Sequence, residues 1–516
     1  MSTKTLHITD ESQSVTKTIV LLAWPVFLEQ IFTTLVSYAD TAMVGSLGAW
    51  ATASVTISNP PIMLLNGIVM ALGVGITSLV ARGVGAKDPQ TVKKLMHHAI
   101  WAIIVIGIPI CLITTALHRI IPLWMGAGPD ILDAAAQYNL IISFGRFFMV
   151  VSMMLNSAFR GYGDTKTPLL VNTVMNIVNV IFNFLLIYPT REISLFGSSF
   201  TVYGAGLEVN GAAIASSLGM AVAGLMTLWV AFFRKNEYQI HMKNGWKIDK
   251  ALTKQIFGIS FPSMLERIFM SSSGVFVTSS IAALGTANVA ANSLCLTAES
   301  LSYMPAFAFQ TAVTTLVGQS LGAKKPTLAE KFVRQTLFMG VVAMAFTGAG
   351  LFVFSNQLIG VFTPDADVIA LAAHCLRLVA FMQIPQVAAW IFSGVLRGAG
   401  DTKFNFYITA ATNWGIRTLW SVLAIRVFHF GLFSTQVVMW VKLLYGYFCS
   451  ICVTAPVNGN MYWIGKIQIF SNTLLLKNRT NMLLAYRSYF FHEFCSYVNL
   501  TGAESSPCSP KLMERA

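Results

Sequence analysis

The heptapeptide Arg160-Gly-Tyr-Gly-Asp-Thr-Lys166 returns 237 residues later as Arg397-Gly-Ala-Gly-Asp-Thr-Lys403. The same offset relates Leu79, Val80, Gly85, Ala86, Lys87 and Pro89 to Leu316, Val317, Gly322, Ala323, Lys324 and Pro326. It also relates Pro25, Leu28, Glu29, Ile31 and Phe32 to Pro262, Leu265, Glu266, Ile268 and Phe269. Ungapped blocks at one spacing mean that the chain holds two copies of one unit, and any fold it adopts must accommodate both.

With 55% hydrophobic residues, 11% charged residues and a mean hydropathy of +0.66, the unit is too apolar for a water-soluble domain. A span needs roughly 20 apolar residues. The first copy offers runs at about 18–43, 52–80, 95–117, 134–158, 168–188 and 209–233, and the second at about 255–283, 289–317, 332–355, 368–395, 404–427 and 431–454. These runs are too long for barrel strands and lack their strict alternation. The expectation is an all-α membrane protein with 12 transmembrane helices in two parallel pseudo-symmetric six-helix bundles.

Lysine and arginine set the expected orientation. Twenty of them, Arg82, Arg160, Arg234 and Arg397 among them, fall in one set of connections, and only Arg119, Arg191 and Arg426 fall in the other. The positive-inside rule places the first set in the cytoplasm, in an inner or plasma membrane. An even number of spans per copy then makes the copies parallel, related by an axis along the membrane normal. The expected divisions are a cytoplasmic N-terminal segment (1–16), with no cleaved leader, a first bundle (17–233), a cytoplasmic linker (234–254), a second bundle (255–454) and a divergent, poorly ordered tail (455–516). The +13 net charge reports this topology rather than nucleic-acid binding, because no basic stretch is interleaved with aromatics. The scattered cysteines, with Cys449 and Cys452 the single close pair, indicate neither a zinc site nor a disulfide framework.

Polar groups inside apolar runs are functional suspects. The first run carries Glu29 and Asp40, 11 residues or three helical turns apart, hence on one face with roughly 16 Å of rise between them. The fifth carries Asn172, Asn176, Asn179 and Asn183, whose spacing makes one stripe of carboxamides. The repeat acts as a filter: Glu29 has its counterpart in Glu266, but Asp40 becomes Val277, and only Asn176 persists, as Asn413. The first bundle alone therefore joins a carboxylate to an amide stripe. Such a group suits a small hard cation or a proton. Asp40, Asn179 and Asn183 are the coupling-ion candidates, with no metal beyond a sodium ion at Asp40. Glu29, Asn172, Asn176 and Glu266 are substrate-cavity candidates, Pro25 is the candidate hinge, and Arg267 is the nearest ion-pair candidate for Glu266. Thr167 is read as the N-cap of the fifth span, with Pro168 as its first residue. His97 and His98 are read as solvated, and Lys442 stands out inside the twelfth run. No phosphate-cradling loop, paired acidic metal motif or nucleophile elbow is present, which argues against an ATPase or membrane enzyme and leaves an ion gradient as the driver.

Ala23-Trp24-Pro25, Ala39-Asp40-Thr41, Gly45, Gly85-Ala86-Lys87 and the doubled loop together resemble the multidrug and toxic compound extrusion (MATE) transporters, over about residues 15–440. The resemblance implies a sodium- or proton-driven antiporter that expels cationic, amphipathic compounds through an outward-opening cleft, without a cofactor. Asp40 matches the family's first-span aspartate and Asn179 an asparagine near it, while Asn183 stands where many members have a second aspartate. Acidic residues that one branch of the family uses in the second bundle are not evident, since the tenth span has no carboxylate past Asp367 and Glu266 lies at a different depth; the resemblance therefore implies coupling in the first bundle and the branch related to DNA-damage-inducible exporters. The expected partners are the bilayer and small molecules, in a monomer. The alternative, a lipid-linked precursor flippase of the same broad superfamily, is disfavoured by the two glutamates and an expected scarcity of buried arginines.

Overall fold

The computed structural model describes residues 14–195, 198–234, 239–240, 248–428, 432, 434–439 and 441–443. The Cys449/Cys452 pair, the tail and most of the N-terminal segment and linker lie outside the described residues.

The first copy runs α1 (Val15–Gly45), α2 (Ala49–Thr56), α3 (Asn59–Gly85), α4 (Pro89–Ala102), a π-helical turn (Ile103–Gly107), α5 (Ile108–Ala116), α6 (Ile120–Trp124), α7 (Pro129–Tyr162) and α8 (Lys166–Leu186). A hairpin of β1 (Pro189–Leu195) and β2 (Ser198–Ala205) then leads into α9 (Glu208–Phe233). The second copy runs α10 (Lys250–Ala282), α11 (Thr286–Ser300), α12 (Tyr303–Gly322), α13 (Pro326–Val353), α14 (Ser355–Gly360), α15 (Ala366–Gly398), α16 (Thr402–Ala410), a π-helical segment (Ala411–Thr418) and α17 (Leu419–Arg426). Residues 432, 434–439 and 441–443, in the twelfth expected run, are helical as well.

Among the described residues, eight helical stretches are long and apolar enough to cross a bilayer. α10 is comparably long but bears Lys250, Lys254, Glu266 and Arg267. The spans are thus all-α, and the hairpin is confined to one connection.

Local chemistry sets the helix starts. Prolines occupy the first positions of α3, α4, α7 and α13, where a missing N–H costs nothing. Asp88, Asp249, Asp365 and Asp401 accept backbone amides at the starts of α4, α10, α15 and α16. The expectation of Thr167 as the cap of α8 is corrected. Asp164 accepts from Thr167 N at 3.0 Å and from the Thr167 hydroxyl at 2.6 Å. An ionised acceptor makes the stronger cap, and Arg234 donates to the same carboxylate at 2.8 Å. The reading of His98 as solvated is corrected too. Its ring is buried, with Nδ1 facing Lys94 O at 2.8 Å and Nε2 accepting from Asp249 N at 3.2 Å, so it ties α4 to the start of α10.

The two copies exchange packing partners. Ile19, Leu22 and Val26 of α1 share a core with Ala308, Ala312 and Leu316 of α12, and α10 packs in the same way on α3. At the glycine-loop end, where both heptapeptides lie, α3 and α12 meet backbone to backbone. A Cβ on Gly85 would sit 1.9 Å from Gln319 O, and one on Gly322 would sit 2.1 Å from Arg82 O. Because Gln319 is the 237-residue counterpart of Arg82, these are two versions of one contact. Only small residues permit such approach between helices in lipid, where close packing rather than water exclusion drives association. Hydrogen bonds follow the same pairing. Thr315 Oγ1 donates to Arg160 O at 2.9 Å, Ser78 Oγ to Gly398 O at 3.4 Å, and Gln319 Nε2 to Gly161 O at 3.0 Å. The copies are joined at this end.

Candidate functional site

α1 and α8 run side by side, and their facing polar residues form two clusters. In the first, Asn183 Nδ2 donates to Asp40 Oδ1 at 2.6 Å. The Asn179 amide is best satisfied with its nitrogen toward the acid, donating to the two Asp40 oxygens at 2.8 and 3.1 Å while its oxygen accepts from Ser216 Oγ of α9 at 3.1 Å. Asn179 and Asn183 are buried and Asp40 is half-buried. Asn183 Oδ1 is buried with no hydrogen-bond partner among the described residues. Tyr138 and, behind it, Arg146 of α7 complete the electrostatic surroundings. The carboxylate is therefore ringed by amide donors, with one spare amide oxygen beside it.

In the second cluster, nearer the glycine loops, Arg160 Nη2 donates to Glu29 Oε1 at 2.5 Å and Asn172 Nδ2 donates to the same oxygen at 2.7 Å. Glu29 is 4% exposed, and Asn172 belongs to this cluster rather than to Asp40. The arrangement recurs: Arg397 Nη2 donates to Glu266 Oε1 at 3.0 Å and Asn405 Nδ2 to Glu266 Oε2 at 2.8 Å. Arg397, not Arg267, is thus the ion-pair partner of Glu266. Neighbours in sequence on a helix point in different directions, whereas Arg397 reaches Glu266 from the end of α15. Asn176, between the two clusters, is buried, and its Nδ2 has no partner among the described residues. Pro25 and Pro262 lie inside α1 and α10, each depriving the preceding turn of one hydrogen bond.

Sequence reasoning missed the role of both arginines, which it counted as loop cations. The offset was the available signal, since Glu29–Arg160 and Glu266–Arg397 share one separation of 131 residues. It could not have found Asn405, because the counterpart of Asn172 is Thr409 and the asparagine has moved one helical turn. The expected scarcity of buried arginines is also corrected. Arg146 is 5% exposed, and the Arg160 and Arg397 side chains are largely covered.

Duplicated helical bundles, exchanged packing and polar clusters within apolar helices define a multi-pass membrane protein. The MatE family model matches residues 25–185 and again 262–423, one match per copy. The chain belongs to that family of MATE transporters. It is 27% identical over 441 residues to the probable multidrug resistance protein NorM of Thermotoga maritima, covering 84% of this chain and 91% of that one. It is 24% identical over 397 residues to the uncharacterized transporter YisQ of Bacillus subtilis, covering 77% and 84%. Among solved structures, the outward-facing conformation of a multidrug resistance MATE family transporter of the MOP superfamily superposes with a TM-score of 0.79 at 21% identity, over 88% of this chain and 97% of that one. A MATE structure in a bent conformation gives 0.78 at 20% identity, over 92% and 100%.

Proposed function

We propose that this transporter exports cationic, amphipathic drugs or toxic compounds by antiport against sodium or protons, through alternating access of its two halves in a cell membrane with the N-terminus cytoplasmic. The observation that carries the reading is the Asp40 cluster. A proton on Asp40 turns an acceptor into a donor and breaks bonds from Asn179 and Asn183, while a sodium ion competes with those amides and gains Asn183 Oδ1 as an oxygen ligand. Either event alters how α1 meets α8, and the interruption at Pro25 lets α1 respond. The join at the glycine-loop end corresponds to a cytoplasmic side that is shut. The relatives named for multidrug resistance support the substrate class.

Glu29 and Glu266 serve a cationic substrate in those states where their arginines are displaced, with Asn172 and Asn176 alongside. Trp414, in edge contact with both Phe269 and Phe276, supplies with them apolar surface for varied drugs. The flippase reading is weaker, because Arg160 and Arg397 are already neutralised by carboxylates and do not form a shared cradle for pyrophosphate. Everted vesicles loaded with a fluorescent cation, under sodium and proton gradients imposed separately, test the proposal. One gradient drives accumulation in the wild type, and Asp40→Asn inserts normally yet loses it. Full gradient-driven transport by Asp40→Asn removes Asp40 from the mechanism.

A further inference from the structure

The place in the second half that corresponds to the Asp40 site is not empty of chemistry. Val277, the counterpart of Asp40, lines a cavity of about 120 Å³ whose polar lining is Thr278, Asn292, Arg417, Thr435 and Gln436. That volume exceeds the share of a single water, roughly 30 Å³. Arg417 is the counterpart of Val180, so neither charge has a charged counterpart: the first copy carries a carboxylate on its first helix, and the second carries a guanidinium on the segment that corresponds to α8.

Arg417 makes no hydrogen bond or ion pair among the described residues, although its helix is rearranged around it. The π-helical segment Ala411–Thr418 is held by Ser273 of α10, whose hydroxyl lies 2.7 Å from Thr418 Oγ1 and 3.4 Å from Asn413 O. Thr418 Oγ1 in turn donates to Asn413 O at 3.0 Å. π-Helical insertions concentrate at functional sites. A second cation stands close by, since Lys442 Nζ donates to Asn413 Oδ1 at 2.8 Å. The nearest acid, Glu299, is fully buried and feels both cations. Its carboxylate faces Tyr303 and Gln386, and among the described residues it forms no ion pair with Arg417 or Lys442. Arg417 is left without an ion-pair partner among the described residues inside a membrane bundle, where an unmatched charge is costly.

We propose that this cavity is a binding site for a small monovalent anion or the carboxylate group of a larger solute, held by the Arg417 guanidinium with Asn292 and Gln436 as amide donors. Arginine suits the role because its planar fork meets a carboxylate with two parallel bonds. The site stands on its own geometry and does not depend on ion coupling at Asp40.

The test uses the purified full chain in detergent, with thermal unfolding and calorimetric titration at constant ionic strength set by a bulky sulfonate. The probes are acetate, its uncharged analogue acetamide, chloride and 4-phenylbutyrate. Acetate stabilises the protein saturably and acetamide does not. Arg417→Gln weakens acetate binding by about tenfold or more, and Arg417→Lys retains part of it. Competition by 4-phenylbutyrate marks the site as one for carboxylate-bearing solutes, and competition by chloride alone marks it as one for free anions; both support an anion site. No acetate effect in the wild type, an equal effect of acetamide, or unchanged acetate affinity in folded Arg417→Gln overturns it.

Discussion

The Arg160 guanidinium donates to Glu29 at 2.5 Å across 131 residues of chain, fixing the end of α7 to the middle of α1. Arg397 and Glu266 repeat this lock between α15 and α10 at 3.0 Å. Each pair ties a heptapeptide loop to the first long helix of its own copy.

Breaking one lock should cost more than removing both partners. Glu29→Gln leaves Arg160 covered and unpaired, and about 3 kcal/mol is expected, toward the lower end for a broken buried pair because the arginine side chain is 19% exposed. The double variant Glu29→Gln with Arg160→Gln should recover part of that loss. Thermal midpoints of the four proteins in one detergent check this; strictly additive losses would show that the two side chains do not act on one another.

A methyl group at Gly85 has nowhere to go while α3 and α12 stay in contact, since its Cβ would lie 1.9 Å from Gln319 O. Gly85→Ala should therefore separate the halves at the glycine-loop end. Spin labels at positions 166 and 403 in a cysteine-free background should show a short distance in the wild type and a longer one in the variant. An unchanged distance distribution would mean that this contact does not hold the end shut.

The Thr91 hydroxyl and backbone amide hold the Asp88 carboxyl below the usual carboxylate range. A lowered folded value means that the cap is at full strength above the unfolded value of about 3.9 and is lost as pH falls through the folded one. Exchange protection at the first turn of α4, corrected for intrinsic rates, should stay level from pH 7 to about 4 and fall only below that. Asp88→Ala should cost about 1 kcal/mol at neutral pH, read as faster exchange at Gln90 and Thr91. Loss of protection between pH 7 and 5 in the wild type would assign it to another group.

The duplicated plan and the Asp40 neighbourhood were legible in the residues because periodicity on a helix fixes which side chains share a face. Helical spacing put Asn179 and Asn183 on one stripe, and Asn183 of that stripe donates to Asp40 at 2.6 Å. Three-dimensional pairings across helices were not legible. Arg160 reads as a loop cation until the bend of the chain returns it to Glu29, and Asn172 leaves the stripe for that pair because a carboxylate is the stronger acceptor. The π-helical segment was hidden as well, since it arises when the Ser273 and Thr418 hydroxyls take over a helix carbonyl.

The account turns on the ionisable side chain at position 40 linking the gradient to export. The most direct measurement compares two modes of transport by Asp40→Asn in proteoliposomes: drug-for-drug exchange at equilibrium and uphill efflux under the driving gradient. Exchange close to the wild-type rate with uphill efflux abolished is the predicted result. Uphill efflux preserved in proportion to exchange would contradict it.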